Sequence, residues 1–256
     1  MKYWGITRRL LMLLAASALL LGIPAAATAY ASSATTGTGW IRLAHLSPNT
    51  PAVDVYLYSF GDSNAMIVLH HVAYGTVSPY ESVPAGDYSV AMRGAGASPT
   101  SQPVLSTSVT IAAGHAYTVA GMGPESGLRL QVLEDKLTTA PGQAEVRVIQ
   151  ASLKQQVVTV TLGSTVLASG LKFASVSDYQ PVSPGTQSVT VSSSGGTANS
   201  SVTLPEASSR LTTSKPLAPS STTRVWTVPA GSVTLEFASV PPALTVTVCV
   251  PGETGW

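Results

Sequence analysis

The sequence predicts an all-β protein, and three observations carry that prediction. Ser and Thr supply about a quarter of the chain; Gly 22 and Pro 18 add turn formers, and apolar residues make up 45% against 10% charged. Apolar and polar residues alternate in short segments instead of recurring at helical spacing. Turn signals separate those segments, among them Ser47-Pro48-Asn49, Gly61-Asp62, Pro84-Ala85-Gly86-Asp87 and Ala113-Gly114. Segments of this kind at 41–46, 53–58, 66–72, 80–83, 88–93, 104–111, 116–120 and 128–133 read as the strands of a sandwich or barrel. Lys+Arg 13 against Asp+Glu 12 gives a formal charge of +1, far from the basic surface that nucleic-acid binding requires.

Lys2, Arg8 and Arg9 precede an apolar run from Leu10 to Ile23, and Pro24 and small residues follow it. This is the order of a secretory signal peptide, with A-x-A cleavage sites ending at Ala29 and Ala31. The run is shorter than the roughly 20 residues of a membrane-spanning helix. The expectation is a signal peptide over 1–31, a small polar linker over 32–39, and a protein resident outside the cytoplasm, secreted or at the cell envelope. The only cysteine, Cys249, excludes an internal disulfide framework. The apolar stretch at 240–250 is broken by Pro241-Pro242, so no membrane span is expected in the mature chain.

The chain also repeats itself. Ile41-Arg42-Leu43 recurs as Val146-Arg147-Val148, an offset of 105. Val77-Ser78-x-Tyr80-x-x-Val83-x-x-Gly86-x-x-Ser89-Val90 recurs as Val176-Ser177-x-Tyr179-x-x-Val182-x-x-Gly185-x-x-Ser188-Val189, an offset of 99. Order is kept while the offset falls, which describes two related units, over 40–140 and 141–208, the second with shorter loops. Beyond 208 the pattern stops matching. The stretch 209–256 begins Ser/Thr/Pro-rich and reads as a linker or stalk. Val228-Pro229-Ala230-Gly231 resembles Val83-Pro84-Ala85-Gly86 and points to a hairpin that completes the second unit; a shifted reading frame after about Leu204 is the other account of this tail.

The run from Trp40 to Tyr56, WIRLAHLSPNTPAVDVY, resembles the opening of the bacterial family called domain of unknown function 4397. Tyr74-Gly75, Tyr80 through Val90, Ala113 through Val119 and the restart at Arg147 fit the same family. The resemblance implies tandem Ig-like β-sandwich domains in an extracytoplasmic protein of unknown biochemical role. It supplies no catalytic residues.

Chemistry is sparse. No G-x-S-x-G elbow occurs. His45, Ser47 and Asp54 include the residue types of a hydrolytic triad, but types alone do not make one; the plainer expectation is a strand-end His45 bonded to a turn backbone and a solvent-face or turn-capping Asp54. His70 and His71 are adjacent and on a regular strand face opposite ways, so they do not chelate one ion. His115 meets His45 only if the fold brings them together. Asp62-Ser63-Asn64 offers oxygen atoms but reads as a hairpin turn, and Asn199-Ser200-Ser201 fits a glycosylation sequon. Tyr56 and Tyr58 share the outward side of their strand with Asp54, an aromatic pair of the kind that receives a sugar ring or a partner protein; cross-strand packing explains it equally well. The binding candidates are therefore Tyr56, Tyr58, Asp54 and His45, with no catalytic residue, metal or cofactor expected. The leading reading is a non-enzymatic structural or interaction module that contacts an envelope protein or glycan. A wall carbohydrate-binding module is the alternative, and a hydrolase the second alternative.

Overall fold

Each of the eight alternating segments forms a strand, because period-two burial lets one side face a core while the other faces outward. The computed structural model describes residues 37–48, 50–137, 139–140 and 142–204 with their side chains, and beyond them the strand backbones 220–228, 231–239 and 243–249. The expected signal peptide, most of the linker and the segment 209–219 lie outside the described residues.

The first unit comprises β1 (Thr38–His45), β2 (Val53–Ser59), β3 (Ala65–Val72), β4 (Glu81–Pro84), β5 (Gly86–Gly94), β6 (Leu105–Ile111), β7 (Ala116–Met122) and β8 (Arg129–Asp135). They make two four-stranded sheets, β4-β1-β7-β8 and β3-β2-β5-β6. Every pairing is antiparallel except β1 with β7. Ile41, Leu43 and Val119 of one sheet pack against Val55, Leu57, Val90 and Val109 of the other. Each such side chain contributes on the order of 1.5–3 kcal/mol of burial.

The second unit repeats this plan with β9 (Ala144–Gln150), β10 (Val157–Leu162), β11 (Thr165–Lys172), β12 (Gln180–Val182), β13 (Gly185–Ser193) and β14 (Gly196–Leu204). The sequence offsets survive as sheet register. Ile41 pairs Glu81 as Val146 pairs Gln180, and Val53 pairs Gly94 as Val158 pairs Ser193. β15 (Ser220–Val228) and β16 (Gly231–Ser239) form the expected hairpin, in which Val228 pairs Gly231. β17 (Ala243–Cys249) then runs parallel to β9, in the place that β7 holds beside β1, giving the sheet order β12-β9-β17-β16-β15. Thr245 stands opposite Arg147 as Thr118 stands opposite Arg42. The second unit's sheet therefore extends past residue 208. The repeat is hidden in the sequence beyond 208 because the strand beside β9 arrives last in the chain, after its neighbour β16, whereas β7 precedes β8.

The outward side of β1 is also buried, since the two units pack on one another. Ala44, Leu46, Ala120, Met122 and Leu133 of the first unit join Ile149 and Ala151 of the second in one apolar cluster, with Val77 and Val176 at its margin. Ala44 and Ile149 are equivalent by the 105-residue offset, as are Leu46 and Ala151, so the contact is nearly self-complementary, like an isologous interface within one chain.

Two backbone positions show how far the units mirror each other. His71 has φ 51° where the second unit has Gly170 at φ 66°, and Gly75 has φ 81° where the second unit has Ala174 at φ 60°. Each unit needs a left-handed residue at both places, and each supplies glycine at only one. A non-glycine residue there costs about 1–2 kcal/mol. Ala174→Gly is expected to raise stability by up to about 1 kcal/mol and Gly75→Ala to lower it by about as much. Urea midpoints at constant slope check both.

Candidate functional site

His45 closes β1 and is buried. Its Nδ1 accepts from the Ser47 amide at 3.4 Å and its Nε2 faces the Pro51 carbonyl at 3.4 Å, so the neutral ring with hydrogen on Nε2 satisfies both contacts. In the second unit the equivalent residue is Gln150. Its Oε1 accepts from the Ser152 amide at 2.9 Å and its Nε2 donates to the Gln155 carbonyl at 2.6 Å. An amide that cannot titrate performs the same task, which identifies His45 as a clasp for the loop between β1 and β2. Burial pushes the His45 imidazole below its ordinary value of 6.5, against weaker opposing contacts with the Pro51 backbone and its own.

Asp54 also serves the backbone. It is buried, and its carboxylate accepts from the His71 amide at 2.8 Å and the Gly96 amide at 3.0 Å, with His70 Nδ1 at 3.4 Å. Those amides, that of His71 foremost, hold Asp54 below the usual carboxylate range. The β2–β3 register slips between Val53 and Val55, and Asp54 caps the resulting bulge at His71. In the second unit Thr159 stands at the Asp54 position, and its Oγ1 lies 3.4 Å from the Gly170 amide. Asp54 thus lies on the outward side but out of solvent: of the two expectations the capping one describes it, because the bulge turns its carboxylate onto two backbone amides. The His45–Asp54 pair that a hydrolase would need does not form, since each side chain is spent on other partners. Ser47 Oγ donates to the Gly123 carbonyl and lies within hydrogen-bond distance of Thr50 Oγ1.

Tyr56 and Tyr58 lie on the outward side of β2 with rings 6.2 Å apart and 15° from parallel. The pair is not the open platform expected, because Tyr56 is 3% exposed and Tyr58 half-buried. Arg93 of β5 covers it, with the guanidinium carbon 4.7 Å from the Tyr56 ring centre and 6.0 Å from that of Tyr58. Arg93 Nε donates to the Ser101 carbonyl at 2.9 Å and one terminal nitrogen to Tyr58 Oη at 3.3 Å. The alternating pattern placed the tyrosines on the right side; it carried no signal for the arginine two strands' sequence away that closes over them.

A buried polar cluster lies between the units. Asp135 ends β8 and receives Thr118 Oγ1, Tyr80 Oη at 2.6 Å and Arg147, with Arg42 Nε at 3.5 Å. Arg42 Nε also donates to Thr118 Oγ1 at 2.7 Å, and Arg147 to the Glu134 carbonyl at 2.8 Å. Arg42 lies 4.3 Å over the Tyr80 ring and Arg147 4.8 Å over the Tyr179 ring. Arg42 matches Arg147 and Tyr80 matches Tyr179 at the two repeat offsets, so the repeat itself was the signal for this cluster. Burial pushes the Tyr179 hydroxyl up, opposed in part by Arg147. The cluster is closed to substrate and joins two folds.

The remaining candidates stand apart. His115 Nδ1 pairs Glu134 Oε1 at 2.6 Å on an exposed edge, away from His45. Asp62 Oδ1 accepts from the Asn64 amide at 2.9 Å, the hairpin turn expected there. Among the described residues no group of three or more His, Cys, Asp or Glu is placed to hold a metal ion, and no helix is long and apolar enough to cross a membrane.

The family model described as Domain of unknown function (DUF4397) matches residues 39–161 and again 144–215. The chain belongs to the DUF4397 family. The two overlapping matches follow the two units, the first running on into β10 and the second starting at β9. No curated protein matches the chain.

Two predictions follow from this geometry. With the His45 value lowered in the fold, the unfolded chain takes up a proton first as pH falls through about 6.5, so stability declines from there downward by at most about 1.4 kcal/mol per pH unit. His45→Gln reproduces the Gln150 contacts without a titrating proton; its urea stability is expected to stay near wild type at pH 7.5 and to fall less steeply toward pH 5, while His45→Ala loses stability at both. Asp135→Asn removes the carboxylate that two buried guanidiniums share and is expected to cost about 3–5 kcal/mol in the same measurement.

Proposed function

We propose that this DUF4397 protein is a non-enzymatic structural and interaction module, exported by its N-terminal signal peptide and acting outside the cytoplasm at the cell envelope. The observation that carries the reading is the substitution of Gln150 for His45 and of Thr159 for Asp54 between the units. The side chains that looked most like catalytic groups do backbone work that non-titrating residues do equally well one unit later. The polar cluster around Asp135 supports the same reading, because it holds two sandwiches as one presenting body. The signal peptide rests on the order of charged, apolar and small residues in the first 31 positions.

The mature protein, beginning at Tyr30 or Ser32, is expected to be retained saturably on isolated envelope fractions, polysaccharide or protein, and to be recovered outside the cytoplasm with its first 29 or 31 residues removed. N-terminal sequencing of the exported protein and a binding isotherm on each fraction check this. Recovery of the full-length chain in the cytoplasm, or absence of retention on both fractions, overturns it.

A further inference from the structure

Arg93 is a buried cation with no ion-pair partner within 4.0 Å among the described residues. It is 8% exposed. A guanidinium carries five N–H donors, and the contacts to Ser101 and Tyr58 use two of them. No carboxylate lies within 4.0 Å of it among the described residues. Asp54, its directly opposed residue in β2, is spent on the His71 and Gly96 amides. The other two buried arginines, Arg42 and Arg147, share Asp135. Burying a charge without a close counter-ion is costly, and a cation–π contact offsets only part of that cost.

The fold does not demand this arrangement either. By the two repeat offsets the second unit has Thr161 at the Tyr56 position, Gly163 at Tyr58 and Ser192 at Arg93, yet β10 and β13 pair in the same register as β2 and β5. Tyr56, Tyr58 and Arg93 are thus particular to the first unit.

We propose that Arg93 and Tyr58 form a binding site for the carboxylates of an acidic polysaccharide, a uronic-acid chain laid across the β3-β2-β5-β6 sheet. The planar guanidinium fork matches a carboxylate in two-point geometry, which an ammonium does not. The Tyr56 and Tyr58 rings hold the fork in place, and the Tyr58 hydroxyl lies beside it. The surrounding face is suited to sugar hydroxyls. Tyr58 pairs Ser89, and Ser89 pairs Ser108 on the next strand; Ser106, Ser108 and Thr110 form an exposed hydroxyl row along β6. Asp87 on the same face is held by the Thr110 hydroxyl at 2.6 Å. This proposal rests on the interaction-module reading and names its ligand.

The test is titration calorimetry of the full mature chain with soluble polygalacturonate, its methyl ester and polyglutamate, at low and high salt. Polygalacturonate is expected to bind saturably and more weakly at high salt, with the methyl ester losing about tenfold or more in affinity. Arg93→Met is expected to lose about tenfold as well and Arg93→Lys several-fold, since lysine keeps the charge but not the fork. Far-UV circular dichroism and a urea midpoint establish that each variant folds, and Arg93→Lys carries the test if Arg93→Met does not. No binding of polygalacturonate at millimolar concentration, equal binding of the methyl ester, unchanged affinity in a folded Arg93 variant, or equal Arg93-dependent binding of polyglutamate each overturns the proposal. If it falls while the protein is still retained on an envelope protein fraction, the interaction module stands and only its ligand is wrong; if retention fails on every fraction, both fall.

Discussion

Two guanidinium groups buried between two sandwiches require a shared counter-charge, and Asp135 supplies it. Arg42 and Arg147 occupy equivalent strands, each stacked on its own unit's tyrosine, so packing the units against one another brings two like charges together. Without the carboxylate that ends β8, the apolar contact between Ala44, Leu46, Ile149 and Ala151 would have to overcome that repulsion in a water-poor setting. Asp135 is shared by both arginines, and each guanidinium also lies over a tyrosine face, with Arg42 donating to the Thr118 hydroxyl and Arg147 to the Glu134 carbonyl. Burial on both sides of β1 follows from this. One side fills the sandwich core, the other the seam between units, which is why β1 is buried along nearly its whole length.

The repeat explains which features of the sequence were legible. Eight strand segments and the turns between them follow from alternation alone, because a half-buried strand leaves a period-two trace. The Arg42/Arg147 and Tyr80/Tyr179 correspondences were visible as offsets of 105 and 99, and these same offsets reappear as hydrogen-bonded register. What alternation does not encode is the third dimension of a polar group. Asp54 reads as outward by parity and is outward, yet a bulge turns its carboxylate onto two amides. Tyr56 is likewise on the expected side and still lies under a residue from another strand. The placement of β17 was hidden for a topological reason, since its partner β9 is about 100 residues away in sequence and the strand order differs from that of the first unit.

Comparison of the units with each other also sorts residues by role in a way that neither unit allows alone. Where the residue changes but the contact persists, the contact belongs to the fold: His45 and Gln150 close the same loop, Asp54 and Thr159 meet the same bulge, and Tyr88 and Gln187 reach back to the carbonyls of Pro84 and Ser183. The chemistry of the side chain is free to vary at these positions as long as a donor or acceptor stands in the right place.

The converse case is more informative about function. Where the residue changes and the contact disappears without disturbing the strands, selection on the fold has not kept it there. Tyr56, Tyr58 and Arg93 are of this kind, and they combine the costs a fold avoids: an aromatic pair placed away from the core and a buried cation without a close ion pair among the described residues. A duplicated domain can leave structure to one set of positions and recognition to another, and one copy can lose the second set while keeping the first. On that argument the two units are unequal partners. The second holds the first in place through Arg147 and the apolar seam, and the first carries the face proposed for the ligand.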